Sequence, residues 1–435
     1  MEILSLGEKI KKRRKELNMT LKDLAGERIT PGQISLVESG RSNPSMDLLE
    51  YLASTLNTSI EYLMESEETQ ANKICTYYEQ IAQGYIWEEN ISTGEKYLEE
   101  GLFYAEKYNL ENRIAKIQYM KAEICVSKEQ YFDAQQLFLS SNGLFIKNND
   151  YENVVKTFLS LGKVTIEMKA YHSSISYLSQ AESVYQQNQL GYEALLAEIY
   201  FCKAVTYYRI NEMDKAINYS FLAKEKFGKL YNKKEYARTL LLISEQYSEE
   251  GDFEKAIDYS KRALKEYAKM RDDENISDIE NNLGRLFFNF ENLEESFIHY
   301  NRAKEIRSKN NDKKLIDTLM DLFENYIRQK DLIKCTSVIN ELDKIIGSDD
   351  IVNLVKLHII KFRICIANNN NDDAELILNE AYKMAKANGL TQEAADLAVK
   401  LGKFYLDQQK DAEAAEFLGE GISLFKEMGI IKDWM

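Results

Sequence analysis

The stretch GRLFFNFENLEESFIHYNRA, from Gly284 to Ala303, decides the fold. A small residue opens it, Phe287 follows three places on, Ser296 twelve on and Ala303 nineteen on. The same offsets recur at Ser244, Tyr247, Ala256 and Ala263, and before that at Ala204, Tyr207, Ala216 and Ala223. Earlier copies start at Gly162, Ala122 and, more weakly, Ala82. Later copies start at Glu324 (degenerate), Phe362 and Gly402, which makes nine starts spaced 38 to 42 residues apart. A fixed period of this length signals stacked repeats. Each unit reads as two amphipathic helices joined by a polar turn such as EEGDFEKA or RINEMDKA. Small residues let the helices approach closely, and no unit buries its apolar face alone. A single long bundle would not keep these offsets; an unrelated helical solenoid is the remaining alternative.

Composition narrows the class. The chain has 435 residues, 44% apolar and 29% charged, enough for a large core. No run of about 18 apolar residues occurs, so no membrane span is expected. The start, MEILSLGEKIKKRRKELNMT, lacks the apolar core and cleavage site of a secretory signal, so a cytoplasmic location is expected. Cys75, Cys125, Cys202, Cys335 and Cys365 form no C-x-x-C pair and read as buried reduced thiols. His172, His299 and His358 lie far apart and are expected at the surface or half-buried. No phosphate loop, H-E-x-x-H or G-x-S-x-G is present. The chain is therefore expected not to be an enzyme, and to need neither cofactor nor metal.

Net charge is −15, unevenly spread. Residues 1–65 carry 9 Lys/Arg and 10 Asp/Glu, and KIKKRRK (Lys9 to Lys15) holds six of those bases. The acidic excess belongs to the rest. The only two prolines, Pro31 and Pro44, also lie in the first segment. Beyond them helical periodicity runs unbroken, so the chain is expected to be all-α. The polar junction MESEETQANK, Met64 to Lys73, suggests a boundary: residues 1–66, a linker at 67–74, and a repeat domain at 75–435.

Residues 6–66 divide into five short helices. The first, from Gly7 to Leu17, is ended by Asn18; Thr20 caps the second. Thr30 caps the third with Pro31 at its first position, and Ser45 and Ser59 cap the fourth and fifth. Leu6, Ile10, Leu17, Leu21, Leu24, Ile34, Val37, Leu48, Leu52, Leu56 and Leu63 would make one small core.

The residues LGEKIKKRRKELNMTLKDLA and ISLVESGRSNPSMDLLEYLASTL resemble the helix-turn-helix of phage-repressor and Xre-type regulators. That resemblance implies a third helix lying in the major groove of DNA. Thr30, Pro31, Gly32, Gln33 and Ser35 would face the bases, with Gln33 suited to adenine N6/N7. Lys9, Lys12 and Arg41 would contact phosphates, and Arg14 and Glu38 would form the family's buried ion pair. The segment LAGERITPGQIS departs from the family. It lacks the common glycine of the turn, is a residue shorter, and puts Pro31 and Gly32 where a polar pair is usual.

The repeats resemble the tetratricopeptide repeat, usually about 34 residues. The resemblance implies a right-handed superhelix of about nine units with a concave face lined by each unit's first helix. Counting two before, one after and four to five after the small residue gives the inward side chains. With Arg238, a turn further back on its helix, they are Tyr208, Arg209, Glu245, Asn282, Arg285, Phe288, Asn289, Asn325, Arg328 and Arg363. Asn282 and Asn325 would be successive rungs whose amides pair with an extended peptide backbone, and the arginines would take a carboxylate. The plain alternative is a solvated polar wall.

The two parts together resemble the peptide-pheromone quorum-sensing receptors of Gram-positive bacteria, the RRNPP group, in its PlcR- and NprR-like branches. The resemblance implies a quorum-sensing transcriptional regulator with three kinds of partner. These are palindromic operator DNA, a short imported signalling peptide on the repeats, and a second copy of the chain, giving a dimer or, with peptide, a tetramer. An alternative is an adaptor that inhibits or dephosphorylates a sporulation response regulator through the first repeats, residues 75–141, with Gln83 as a candidate.

Overall fold

The computed structural model describes residues 2–430. Met1 and residues 431–435, the extreme ends of the two expected domains, lie outside the described residues. All regular elements among the described residues are helices. Five of them form the N-terminal domain: α1 (Leu6–Glu16), α2 (Leu21–Ala25), α3 (Pro31–Glu38), α4 (Met46–Thr55) and α5 (Ile60–Met64).

Their limits follow from local chemistry. Ser5 and Glu8 form a capping box on α1, and Asn18 turns left-handed at φ 54° just beyond it. Thr20 and Asp23 do the same for α2, and Thr30 and Gln33 for α3, with Pro31 in the first turn. Ser45 and Ser59 accept from the backbone of α4 and α5. Each such bond satisfies an amide that the helix leaves open. Ile10, Leu24, Ala25, Ile34, Val37, Leu52, Ala53, Leu56 and Leu63 close the core. Leu17, expected inside, is instead 38% exposed, because it caps the solvent end of α1. The turn after α2 does contain a glycine: Gly26 caps the helix at φ 54°, where an added Cβ would meet the Tyr51 hydroxyl at 2.5 Å.

Among the described residues the remaining helices pair into nine hairpins, in two compact units. The first unit, Met1–Tyr231, carries the N-terminal domain and four hairpins. These join α6 (Glu67–Trp87) to α7 (Ile91–Lys107), α8 (Glu111–Ser127) to α9 (Tyr131–Lys147), α10 (Tyr151–Glu167) to α11 (Tyr171–Gln187), and α12 (Glu193–Arg209) to α13 (Met213–Lys229). The second unit, Asn232–Met435, carries five. They are α14 (Lys233–Glu249) with α15 (Phe253–Met270), α16 (Asp273–Asn289) with α17 (Leu293–Lys309), α18 (Leu315–Arg328) with α19 (Leu332–Ile345), α20 (Ile351–Ala367) with α21 (Asn371–Ala387), and α22 (Thr391–Asp407) with α23 (Asp411–Glu427).

Residues 67–74, expected as a linker, are the first turns of α6. Ser66 caps that helix, and Ala71 and Ile74 are buried in the repeat packing. Burial of two apolar faces outweighs the polar composition there.

The small residues do what the spacing predicts. An added Cβ on Gly162 or Gly402 would come within 2.5 Å of Leu178 or Leu418, and one on Gly284 would run into the Tyr300 ring. Each partner lies sixteen residues on, across the hairpin. Ser244 and Ser260, related in the same way, share a 2.7 Å hydroxyl contact. The degenerate repeat follows a different register from the expected one. Measured from the helix end, the place of Gly284 on α16 is taken on α18 by the buried Phe323, not by Glu324.

Each of these hairpins closes on one residue in the left-handed region, whatever its type: Glu89, Glu129, Lys169, Asn211, Glu291, Lys330, Asn369 and Gln409 all have φ near 60°, and Gly251 has φ 81°.

Candidate DNA-binding surface and repeat groove

The basic run of α1 does two different things. Arg14 grips Glu38 with two bonds, Nε to Oε1 at 2.6 Å and Nη2 to Oε2 at 2.9 Å, and donates a third to Met19 O. This fixes α3 against α1, as the resemblance implied. Lys9, expected on phosphate, is 1% exposed and donates to Tyr62 O and Glu65 O, both at 2.7 Å. It closes the C-terminal end of α5, where an ammonium suits the helix dipole. Burial pushes its pKa below the usual value. Lys12 is exposed and paired with Glu2 at 2.9 Å, and Arg41 is exposed beyond α3.

The surface of α3 is open. Ile34 and Val37 point into the core. Thr30, Pro31, Gly32, Gln33 and Ser35 are all exposed, as is Leu36 at 44%. Gln33 is already engaged: its Oε1 accepts from Thr30 N at 2.9 Å to close the capping box. Bidentate reading of adenine would use both ends of that amide, and the capping box already engages one of them.

The N-terminal domain is tied to the first repeat. Gln70 on α6 accepts from Leu4 N at 3.1 Å and donates to Leu4 O at 2.9 Å, as a paired strand would. Glu65 stands between Lys9 and Lys73, 2.6 Å from the latter.

In the first unit Tyr208 is half-buried and Arg209 exposed near the end of α12. Gln83 is exposed on α6. The other groove candidates lie in the second unit. Arg238, exposed, is 3.6 Å from Glu235, and Glu245 and Asn289 are also exposed. Asn282 is exposed, as expected. Asn325 is not a rung. It is fully buried, its Nδ2 donates to Ser296 Oγ at 2.9 Å and Leu293 O at 3.3 Å, and its Oδ1 accepts from Gln329 at 3.0 Å. The one-place shift of register on α18 turns it into the packing between helices. By the same register Asp321 stands at the position of Asn282.

Two residues outside the expected groove set meet here. Asn281 is 3% exposed and donates to Asp321 Oδ2 at 2.8 Å, which also receives Arg285 Nε at 2.8 Å. Burial raises the Asp321 pKa, against the pull of Arg285 and Asn281. Burial also opposes the Arg285 charge, yet Asp321 holds its pKa above the usual value. One repeat on, Arg363 takes both oxygens of Glu324. Arg328 donates to Phe288 O at 3.2 Å and covers the Phe288 ring at 4.7 Å.

These contacts expose a column one place after the small position: Glu245, Arg285, Glu324, Arg363 and Lys403, with signs that alternate over the first four. The sequence holds that signal, but only once Phe323 sets the register. His299, expected near the surface, is 4% exposed, its Nδ1 lying 2.5 Å from Glu280 Oε2 and its ring stacked on Phe287.

Comparison with known proteins bears on both parts. Residues 10–63 match the helix-turn-helix family and residues 237–269 the tetratricopeptide repeat. Over 66 residues the chain is 38% identical to the HTH-type transcriptional regulator DdrOP3 of Deinococcus deserti, covering 15% of this chain and 51% of that protein. The chain thus spans about half the length of that relative. The apo form of RapI is similar in structure with a TM-score of 0.58 at 15% identity, over 83% of this chain and 99% of that one. The apo form of the quorum sensor NprR from B. thuringiensis gives 0.56 at 15% identity, over 82% and 99%. At such identities the likeness is one of fold. The chain is a helix-turn-helix protein with tetratricopeptide-type repeats.

Proposed function

We propose that this protein is a cytoplasmic, peptide-responsive transcriptional regulator of the RRNPP kind. It binds palindromic operator DNA through α3 as a dimer, or as a tetramer with peptide, and a short imported signalling peptide lies along the repeats. The observation that carries this reading is the pairing, in one chain, of an exposed α3 seated on a buried ion pair with a repeat face whose arginines are held by carboxylates. A peptide carboxylate entering that face exchanges with Asp321 or Glu324 for Arg285 or Arg363, so recognition is a swap of partners between charged groups. Asn282, Asn289, Phe288 and Arg328 supply further polar and stacking contacts in the second unit, with Arg238 and Glu245 on the preceding repeat. Lys12 and Arg41 contact phosphates beside α3.

The test is titration of synthetic peptides, taken from any small secreted open reading frame beside the gene, against the purified full chain. DNA binding and oligomer mass are read together. Peptide binding that changes neither would remove the regulatory reading. A second reading, an adaptor for a response regulator, has one observation in its favour. The first repeats hold a polar hollow lined by Asn72, Asn109, Asn112, Arg113 and Asn148, on the same unit as the exposed Gln83. A complex with a phosphorylated response regulator that survives removal of the operator would favour it.

A further inference from the structure

Leu36 is the one large apolar side chain on the outward surface of α3. With Ile34 and Val37 directed into the core, a turn of 100° per residue puts Gly32, Ser35, Leu36 and Ser39 on the opposite face. All four are exposed, Leu36 at 44%. None carries a charge, and Glu38, the only acid of α3, is turned away onto Arg14. Gly32 is not required by packing, since an added Cβ would meet only Thr30 Oγ1, at 3.9 Å. Glycine weakens a helix, and here it leaves the backbone beside Leu36 open to close approach.

A leucine can neither donate nor accept a hydrogen bond. Among the groups displayed in the major groove, the thymine C5-methyl is the one it can bury against. Resting on the DNA-binding reading above, we propose that Leu36 reads a thymine methyl in each operator half-site. Gly32 allows the approach, and Ser35 and Ser39 flank it as neutral, short neighbours. The specificity of α3 is then partly apolar, and it does not depend on freeing Gln33 from its capping box.

The test uses the full chain. Duplexes are selected from a random pool, and each thymine of the selected half-site is then replaced by deoxyuridine, which removes only the methyl. Each methyl removed is expected to weaken binding about threefold to fivefold, the worth of one buried carbon, so replacement in both half-sites should weaken it about tenfold to twenty-fivefold. Leu36→Ala is expected to weaken binding to the thymine duplex and to abolish the thymine–uracil difference at that position alone. Its thermal unfolding and its oligomer mass without DNA should match the parent. If no thymine shows a methyl effect that Leu36→Ala removes, the assignment is wrong. A shift in oligomer mass would make Leu36 a protein contact instead. If no duplex is selected at all, the DNA-binding reading itself falls, and this assignment with it.

Discussion

Asn281 on α16 reaches across to Asp321 on α18 and donates a 2.8 Å hydrogen bond to a carboxylate already held by Arg285. This contact, between first helices of successive repeats, occupies the place where a peptide rung was expected. It separates two adjacent asparagines into two jobs. Asn281→Ala should lower the unfolding free energy by about 1–3 kcal/mol, because Asp321 loses a donor while staying buried. Asn325→Ala should cost a similar amount. Asn282→Ala should change stability by less than about 0.5 kcal/mol yet weaken peptide binding. Denaturant titration and peptide titration of the three variants check this; an Asn282 variant with full peptide affinity would remove that residue from the groove.

The Asp321 carboxyl should titrate above the ordinary aspartate range, because burial raises its pKa. A raised folded pKa means that its contribution to stability is fully present below the unfolded value, near 3.8, and is lost as pH rises through the folded pKa. Acidification should therefore release Arg285 before exposed aspartates are neutralised. Carbon-detected NMR titration reads the midpoint directly, and Arg285→Gln should move it further up. A midpoint at or below the usual value would contradict the account.

Salt dependence should separate the lysines of α1. Lys12→Gln and Arg41→Gln should each reduce the slope of log affinity against log salt by about 1. Lys9→Met should leave that slope unchanged, and instead lower stability by about 1.5–3 kcal/mol through loss of its charged bonds to Tyr62 O and Glu65 O. A reduced slope in the Lys9 variant would return it to the DNA surface.

Two glycines should respond in opposite directions to alanine. Gly284→Ala forces a methyl against the Tyr300 ring and should destabilise by about 1–3 kcal/mol. Gly143, exposed within α9 with nothing within 4 Å, should gain about 0.5–1 kcal/mol from the same change. Thermal unfolding of the two variants makes the comparison; equal effects would mean that the close approach at Gly284 is not what requires glycine.

Much of the architecture was legible because its causes are local or periodic. Thr20, Thr30, Ser45 and Ser59 mark helix starts through bonds made within three residues. The recurring small positions mark close approaches sixteen residues apart. What was not legible depended on a facing residue or on register. A basic run does not say which lysine points inward, so Lys9 was misplaced. The seventh repeat replaces its small residue with Phe323, and a slip of one place turns a helical side chain by about 100°. That slip carried Asn325 from the packing to the groove. Asn281 gave no local sign of its role because its partner, Asp321, is a repeat away. Gln33 was placed on the right surface, but its role in the capping box depends on how its amide is turned.

The hairpin turns carry a lesson about descent. Glutamate, lysine, asparagine, glutamine and glycine all close the same left-handed corner. The joint is thus indifferent to its residue, and the match that must be kept lies between neighbouring first helices, as at Asn281 and Asp321. A gene encoding such an array can gain or lose whole hairpins by duplication or deletion without reinventing a corner. A change on one side of such a seam then calls for a matching change on the adjoining repeat.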